Sequence, residues 1–207
     1  LFYENKLIEA VFHSSSGGRT EDSGQVWKYQ LPYLISVVDY DQNSAKYRWS
    51  KKISLSELDQ IFSDLGGLNN IQITKKSNTD RVLTARLYGP KGNKNISGKT
   101  LRNNLKLISN KFDVDMKFNQ INQDDKLINI NYFNERNKSN LKERRDSDLA
   151  PYPLPEIPRD YFLLVEGYGA GHGVGMSQWG AKAMAERGSS FYKILKHYYA
   201  GVKIKIY

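Results

Sequence analysis

Hydrophobic positions follow two different periods, and the switches between them mark the elements. Leu58, Ile61, Phe62 and Leu65 recur at i, i+3, i+4 and i+7, which places them on one stripe of a helix. Ser54 stands where an N-cap belongs and Glu57 sits three residues on, a capping box; Ile53 before the cap can staple to Leu58. Gly66 suits the C′ position, where a left-handed residue closes the last turn. Ser97 can cap a second helix with Leu101, Leu105 and Ile108 on one face. Ser177 can cap a third that runs to about Arg187, with Gly188 at C′. A fourth starts at Ser189 or Ser190, carries Phe191, Ile194, Leu195 and Tyr198 on one stripe, and stops at Gly201.

Elsewhere the apolar residues come in short β-rich runs bounded by turn residues. LFYENKLIEAVFHSS reads as two short strands around a turn at Glu4-Asn5-Lys6, with Leu7 to His13 β-rich. SSSGG breaks this run, and Arg19 to Gln25 is polar loop. QVWKYQLPYLISVVDY, with Pro32 inside it, is expected to be extended but irregular. Strands are predicted at Ile71–Thr74 and Arg81–Tyr88 around a turn at Asn78-Thr79-Asp80, the second ended by Gly89-Pro90 and Gly92. Asp113–Phe118 and Leu127–Phe133 look like a further pair, and YFLLVEGYG like another strand. Val202, Ile204 and Ile206 alternate with Lys203 and Lys205, a final half-buried strand. Residues 119–150 are a polar insertion or connection; the charged stretch 134–149 and the prolines of PYPLPEIP are expected to be exposed and mobile. The sum is one α+β domain over 1–207, mostly antiparallel, with about four helices.

Composition narrows the function. A chain of 207 residues, 39% hydrophobic and 12% aromatic, can build a core, so global disorder is not expected. Mean hydropathy is −0.63, and no apolar run approaches the ~20 residues that span a bilayer. With no cysteine, disulfide scaffolds, cysteine-ligated zinc and thiol nucleophiles are excluded. The net charge of +9 favours a polyanionic partner: nucleic acid, anionic lipid or cell-wall polymer. The basic residues are scattered, with only KERR at 142–145 clustered and no nucleic-acid motif, so nucleic acid is not the expected partner. The chain opens on Leu1 with no visible signal peptide and is expected to be a processed or truncated product.

Two segments could carry chemistry. In GYGAGHGVGMSQWGAKAMAERG, residues 167–188, five glycines surround His172 and lead to a helix N-terminus. Glycines let a backbone approach a ligand closely. Ser177, Gln178 and Trp179 add hydrogen-bonding groups and an aromatic face, a combination that suits a sugar. The alternative is a tight strand-to-helix turn whose glycines only pack. A phosphate loop is not supported, since no lysine follows and no acidic residue stands ~20 positions on in a βαβ unit. In AVFHSSSGGRT, residues 10–20, His13 is followed by three serines, two glycines, Arg19 and Thr20. A Ser-His hydrolase is conceivable, but no G-x-S-x-G elbow is present. His13, His172 and His197 lack metal-ligand spacing, and no metal and no cofactor are expected.

These residues carry a resemblance. GHGVGMSQWGAKAMAERG followed by FYKILKHYYAGV resembles the C-terminal signature of the SpoIID/LytB family, which includes stage II sporulation protein D and the amidase enhancers. AVFHSSSGGRTEDSGQVW resembles a second signature, PYLISVVDYD with the Trp49 segment the stretch after it, and DRVLTARLYGPKGNKNISGKTLRNNLKLISNKFDV a further block. The resemblance covers nearly the whole chain outside 119–150. It implies a mixed fold with a cleft and a peptidoglycan-acting protein on the wall side of the cytoplasmic membrane, delivered by a removed signal or held by an anchor upstream. The sporulation members are lytic transglycosylases that act on glycan strands stripped of stem peptides and leave 1,6-anhydro ends. One carboxyl group can run that chemistry, first as acid and then as base, without the paired carboxylates of most glycosidases.

The family's catalytic glutamate precedes the FHS-SGG block and has no counterpart after Leu1, so the resemblance puts it outside this chain. Glu9, Glu21 and Glu166 do not inherit the role; Glu9 is expected to face solvent, and Glu166 is the one worth testing. Some sporulation members bind zinc through His and Cys near that block, which a chain without cysteine cannot reproduce. One wall of the expected cleft is His13, Ser15, Ser16, Gly17, Gly18 and Thr20; the other is His172, Gly173, Ser177, Gln178 and Trp179. Glycan strands are the implied ligand, and a cell-wall amidase is the partner that the enhancer name implies. A non-catalytic wall-binding regulator is the alternative to the enzyme.

Overall fold

The computed structural model describes residues 1–118 and 161–205. The polar insertion, the strand expected at Leu127–Phe133, the proline-rich stretch and Ile206 lie outside them. The chain begins with a hairpin of β1 (Phe2–Tyr3) and β2 (Lys6–Leu7), paired antiparallel. Its turn holds Glu4 and Asn5 at positive φ, the conformation that twists correctly into a two-residue hairpin. β3 (Phe12–His13) and one helical turn, α1 (Ser23–Val26), follow. Residues 27–47 are irregular, as Pro32 and the mixed pattern predict.

Two antiparallel three-stranded sheets then form. One has the order β4 (Arg48–Ser54), β9 (Tyr161–Tyr168), β8 (Phe112–Phe118). The other is β5 (Asn70–Lys76), β6 (Val82–Gly89), β7 (Gly92–Ser97). α2 (Leu55–Ile61) and α3 (Gly98–Asn104) pack with them around Ile53, Leu58, Phe62, Val82, Leu87, Leu101, Leu105, Phe112, Leu163 and Val165. The expected caps are in place: Ser54 Oγ accepts from Glu57 N at 3.3 Å and Ser97 Oγ from Thr100 N at 3.0 Å. A 3₁₀ turn at Ser63–Leu65 finishes α2, and Gly66 closes it at φ 74.

Two features of this half depart from the pattern. β7 was not predicted; its residues GNKNIS are mostly polar, and only pairing with β6 makes them a strand. Ile108 is exposed, because α3 stops at Asn104 before its stripe reaches that far.

The second core gathers β10 (Met176–Ser177), α4 (Gln178–Glu186), α5 (Phe191–Tyr198) and the stretch around Tyr33 and Leu34. Val174, Met184, Ile194, Tyr198, Tyr199 and Val202 fill it. Ser177 and Ser190 cap α4 and α5, accepting from Gly180 N at 3.2 Å and Lys193 N at 3.4 Å. Phe191 is 56% exposed and stacks on Tyr192 instead of joining the stripe; it is the first residue of α5 and lies beyond the edge of the core. Of the expected final strand, the described residues form a single bridge, between Lys203 and Phe2. The fold is α+β, with five α-helices among the described residues. No described helix is long and apolar enough to cross a membrane.

Candidate functional site

The two glycine-rich segments meet. β3 and β10 pair in parallel, with Phe12 opposite Met176 and His13 opposite Ser177. Ser15 and Ala170 bridge as well, exchanging N–H···O bonds of 3.1 and 2.7 Å. The approach is close because glycines permit it: a Cβ on Gly169 would stand 2.5 Å from Ser15 O, and one on Gly17 2.7 Å from Tyr168 Cβ. Gly17, Gly169, Gly171, Gly173 and Gly175 all sit at positive φ.

The two histidines share one peptide. Val174 N donates to His172 Nδ1 at 3.1 Å, and His13 Nδ1 donates to Val174 O at 3.0 Å. His13 thus carries a proton on Nδ1, while His172, accepting at Nδ1, is neutral with its proton on Nε2. Burial pushes the His13 pKa down to about 3, with the Arg81 and His172 charges adding to it. His172 is also lowered, first by its partial burial. The His172 ring lies between Trp27, at 5.4 Å, and His13, at 5.5 Å. Trp27 and Phe12 are exposed and Trp179 half-buried; Trp179 N donates to Ser14 O at 3.1 Å, which holds the start of α4 against β3. The result is a seam with a polar floor and an aromatic rim.

The remaining predicted residues have a different placement. Ser15, Ser16, Thr20 and Ser177 are buried, and their hydroxyls bond inside the fold. Ser15 Oγ donates to Asp41 Oδ2 at 2.5 Å and Ser16 Oγ to Asp39 Oδ2 at 2.6 Å. Thr20 Oγ1 accepts from Val37 N at 2.8 Å, and Ser177 is the α4 cap. These four shape the loops and do not line an open wall. Gly17 and Gly173 are buried too, whereas Gly18 and His172 are half-buried and Gln178 exposed. The part of the predicted constellation that reaches solvent is His172, Gln178, Trp179 and the Gly18 edge.

Sequence reasoning missed the groups that hold this arrangement. Asp41 accepts from Ser15 Oγ, Gly17 N and Gly18 N. Asp39 accepts from Ser16 Oγ, from Tyr198 OH at 2.6 Å and from Tyr40 N. A Cβ on Gly180 would collide with this Asp39–Tyr198 pair, which fixes α4 to α5. Glu21 is buried and accepts from Ser77 Oγ, from Thr79 Oγ1 at 2.5 Å and from Asp22 N at 3.0 Å. Arg81, 2% exposed, donates to Ser16 O at 2.8 Å and stands 3.9 Å from Glu21. Burial lowers its pKa to about 10, and Glu21 opposes the shift. Its guanidinium lies against Gly173, whose Cβ would stand 2.3 Å from Arg81 Cζ. One signal was present: in Val38-Asp39-Tyr40-Asp41 the acids alternate at period two, and they are the buried face while Val38 is exposed.

These acids are thus occupied. Glu21, Asp39 and Asp41 are buried in hydrogen bonds, and Glu166 is on an exposed sheet face, 3.2 Å from Arg48. Glu9 is exposed, as expected. His197 is half-buried on α5, and its Nε2 meets Val38 O at 2.7 Å. Among the described residues no three His, Asp or Glu side chains stand close enough to hold a metal ion.

No sequence-family profile matches the chain. Curated proteins do. Stage II sporulation protein D of Bacillus amyloliquefaciens is 33% identical over 99% of this chain and 47% of its own length. This chain is a homologue of stage II sporulation protein D. The same protein of Bacillus subtilis is 30% identical over the same shares. The homology extends to a protein named amidase enhancer from Bacillus subtilis, 29% identical over 100% of this chain and 31% of its own length. The chain therefore spans under half the length of these relatives, and the SpoIID/LytB resemblance of its motifs stands.

Proposed function

We propose that this chain is the glycan-binding body of a peptidoglycan-acting protein on the outer side of the cytoplasmic membrane, and that it works in a lytic transglycosylase whose acid/base glutamate lies outside it. The observation that supports this most is the seam itself. Two segments far apart in sequence join through β3 and β10, hold His172 between Trp27 and His13, and leave Trp27, Trp179 and Gln178 at the rim. Aromatic faces suit the C–H faces of pyranose rings, and amide and imidazole groups suit hydroxyls and N-acetyl groups.

The buried carboxylates of the seam, Glu21, Asp39 and Asp41, are all engaged in hydrogen bonds inside the fold, which fits a chemistry supplied from elsewhere. The same observation favours the second reading, a non-catalytic regulator of a cell-wall amidase, as the name of one relative suggests.

Two measurements test these readings. Trp179→Ala and His172→Ala should each weaken retention on peptide-free glycan strands about tenfold, the scale of one stacking or hydrogen-bonding contact, with unchanged circular dichroism. Retention of both variants at the wild-type level would remove the seam from glycan binding. The second measurement is mass spectrometry of strand ends after incubation with this chain and with a full-length homologous protein. Anhydro ends only with the longer protein support the enzyme; none from either, with strand binding retained, leaves the regulator.

A further inference from the structure

The Gly18 end of the site holds an arrangement that the reading above does not use. Tyr168, at the end of β9, meets Tyr47 edge-on with ring centroids 6.0 Å apart. The Lys111 ammonium and the Arg48 guanidinium both lie 6.0 Å from the Tyr168 centroid. The Tyr47 hydroxyl borders Gly18, 3.2 Å from where a Cβ would be.

The two cations differ in their company. Arg48 is matched by Glu166. Lys111 donates to Gly17 O at 3.0 Å, one bond for an ammonium with three donors. Its side chain is half-buried, and its pKa is lowered first by burial and then by Arg81, with Asp80, Asp41 and Glu21 opposing. Of those acids, Asp41 and Glu21 are already engaged by Ser15, Gly17, Gly18, Ser77, Thr79 and Asp22. Asp80, the remaining acid, is exposed to solvent, and the single bond to Gly17 O leaves the ammonium two further N–H donors. An incoming carboxylate would restore what burial took away, since a charge-assisted hydrogen bond is strongest where water is partly excluded.

We propose that Lys111, framed by Tyr47 and Tyr168 beside Gly18, is a carboxylate-reading subsite that takes the free lactyl carboxylate of a muramic acid residue. The inference rests on the glycan-binding reading of the same site and adds the charge preference and the residue that sets it. A lactyl group still amide-linked to a stem peptide carries no charge there and would lose this contact. Lys111 offers its two remaining N–H donors to the carboxylate.

The test compares three ligands of equal length by isothermal titration: peptide-free glycan strands, the same strands with their carboxylates amidated, and chitin oligosaccharides, which have no lactyl group. Wild type should prefer the free-acid strands about tenfold, the scale of one hydrogen bond to a charged group. Lys111→Met should bind all three alike, at the level of wild type on amidated strands, and Lys111→Arg should keep the preference. Thermal melts of each variant separate a binding effect from a folding effect. Equal binding of the three ligands by wild type would overturn the subsite while leaving glycan binding intact. A preference that survives in Lys111→Met would overturn it as well. No binding of any ligand by wild type would overturn both the subsite and the reading beneath it.

Discussion

Arg81→Met is expected to lower stability by about 3–5 kcal/mol, the scale for removing one partner of a buried ion pair. Methionine fills much of the same volume, so a cavity is not the cause. What remains is Glu21, fully buried, still accepting from Ser77, Thr79 and Asp22 but without the guanidinium that stood 3.9 Å away. The Ser16 carbonyl loses its donor, and Gly173 loses the flat guanidinium it rests on. Both loops of the seam therefore loosen along with the turn between β5 and β6. Urea titration gives the loss directly. Adding Glu21→Gln to Arg81→Met should recover part of it, because the stranded charge goes while the oxygen that Ser77 and Thr79 use stays. A double-mutant cycle in which the two effects simply add would refute the coupling.

The second large effect is at Asp41. One carboxylate takes a hydroxyl and two successive backbone amides, and so holds Gly17 and Gly18 in left-handed conformations at φ 74 and 93. Asp41→Ala leaves those donors without an acceptor inside the fold, each costing about 1–3 kcal/mol if it stays buried. Relaxation of the loop will relieve some of this, so a net loss of about 3 kcal/mol is expected. Hydrogen exchange should locate it: the Gly17 and Gly18 amides should lose protection beyond the global change, and glycan retention should fall with them. Asp41→Asn should lie between, since its one oxygen can serve only some of the donors while its NH₂ opposes the rest. Gly17 and Gly18 amides as protected in Asp41→Ala as in wild type would mean that the loop is held by its neighbours.

Much of the architecture was legible because it is local. The four serine caps announce themselves within three or four residues, and each accepts the backbone bond that the pattern implies. The stripe from Leu58 to Leu65 is inside for the same reason. The seam was legible as two segments set opposite each other as walls of one cleft; that they pair directly through β3 and β10 was not, since nothing in either segment announces that bridge. The buried polar hub was illegible. Arg81 is 60 residues from Glu21 and 65 from Ser16, as the numbering shows, and an arginine beside a turn reads as surface. Ser15, Ser16, Thr20 and Ser177 looked like ligand groups because a serine run beside glycines exposes hydroxyls unless something buries them; Asp39 and Asp41, two dozen residues on, do so for the first pair.

The pairing of His13 with Ser177 has a consequence for the life of the molecule before it is finished. Closing a flexible loop of that length costs about 4–5 kcal/mol in chain entropy, and no other contact between β3 and β10 is more local. Distant pairings of this kind slow folding. During synthesis Phe12, His13 and the serine loop leave the ribosome long before Met176 and Ser177 exist, so the nascent chain carries β3 without the strand it pairs with. That interval is when this protein is most open to aggregation and most in need of a chaperone or of rapid delivery to its destination.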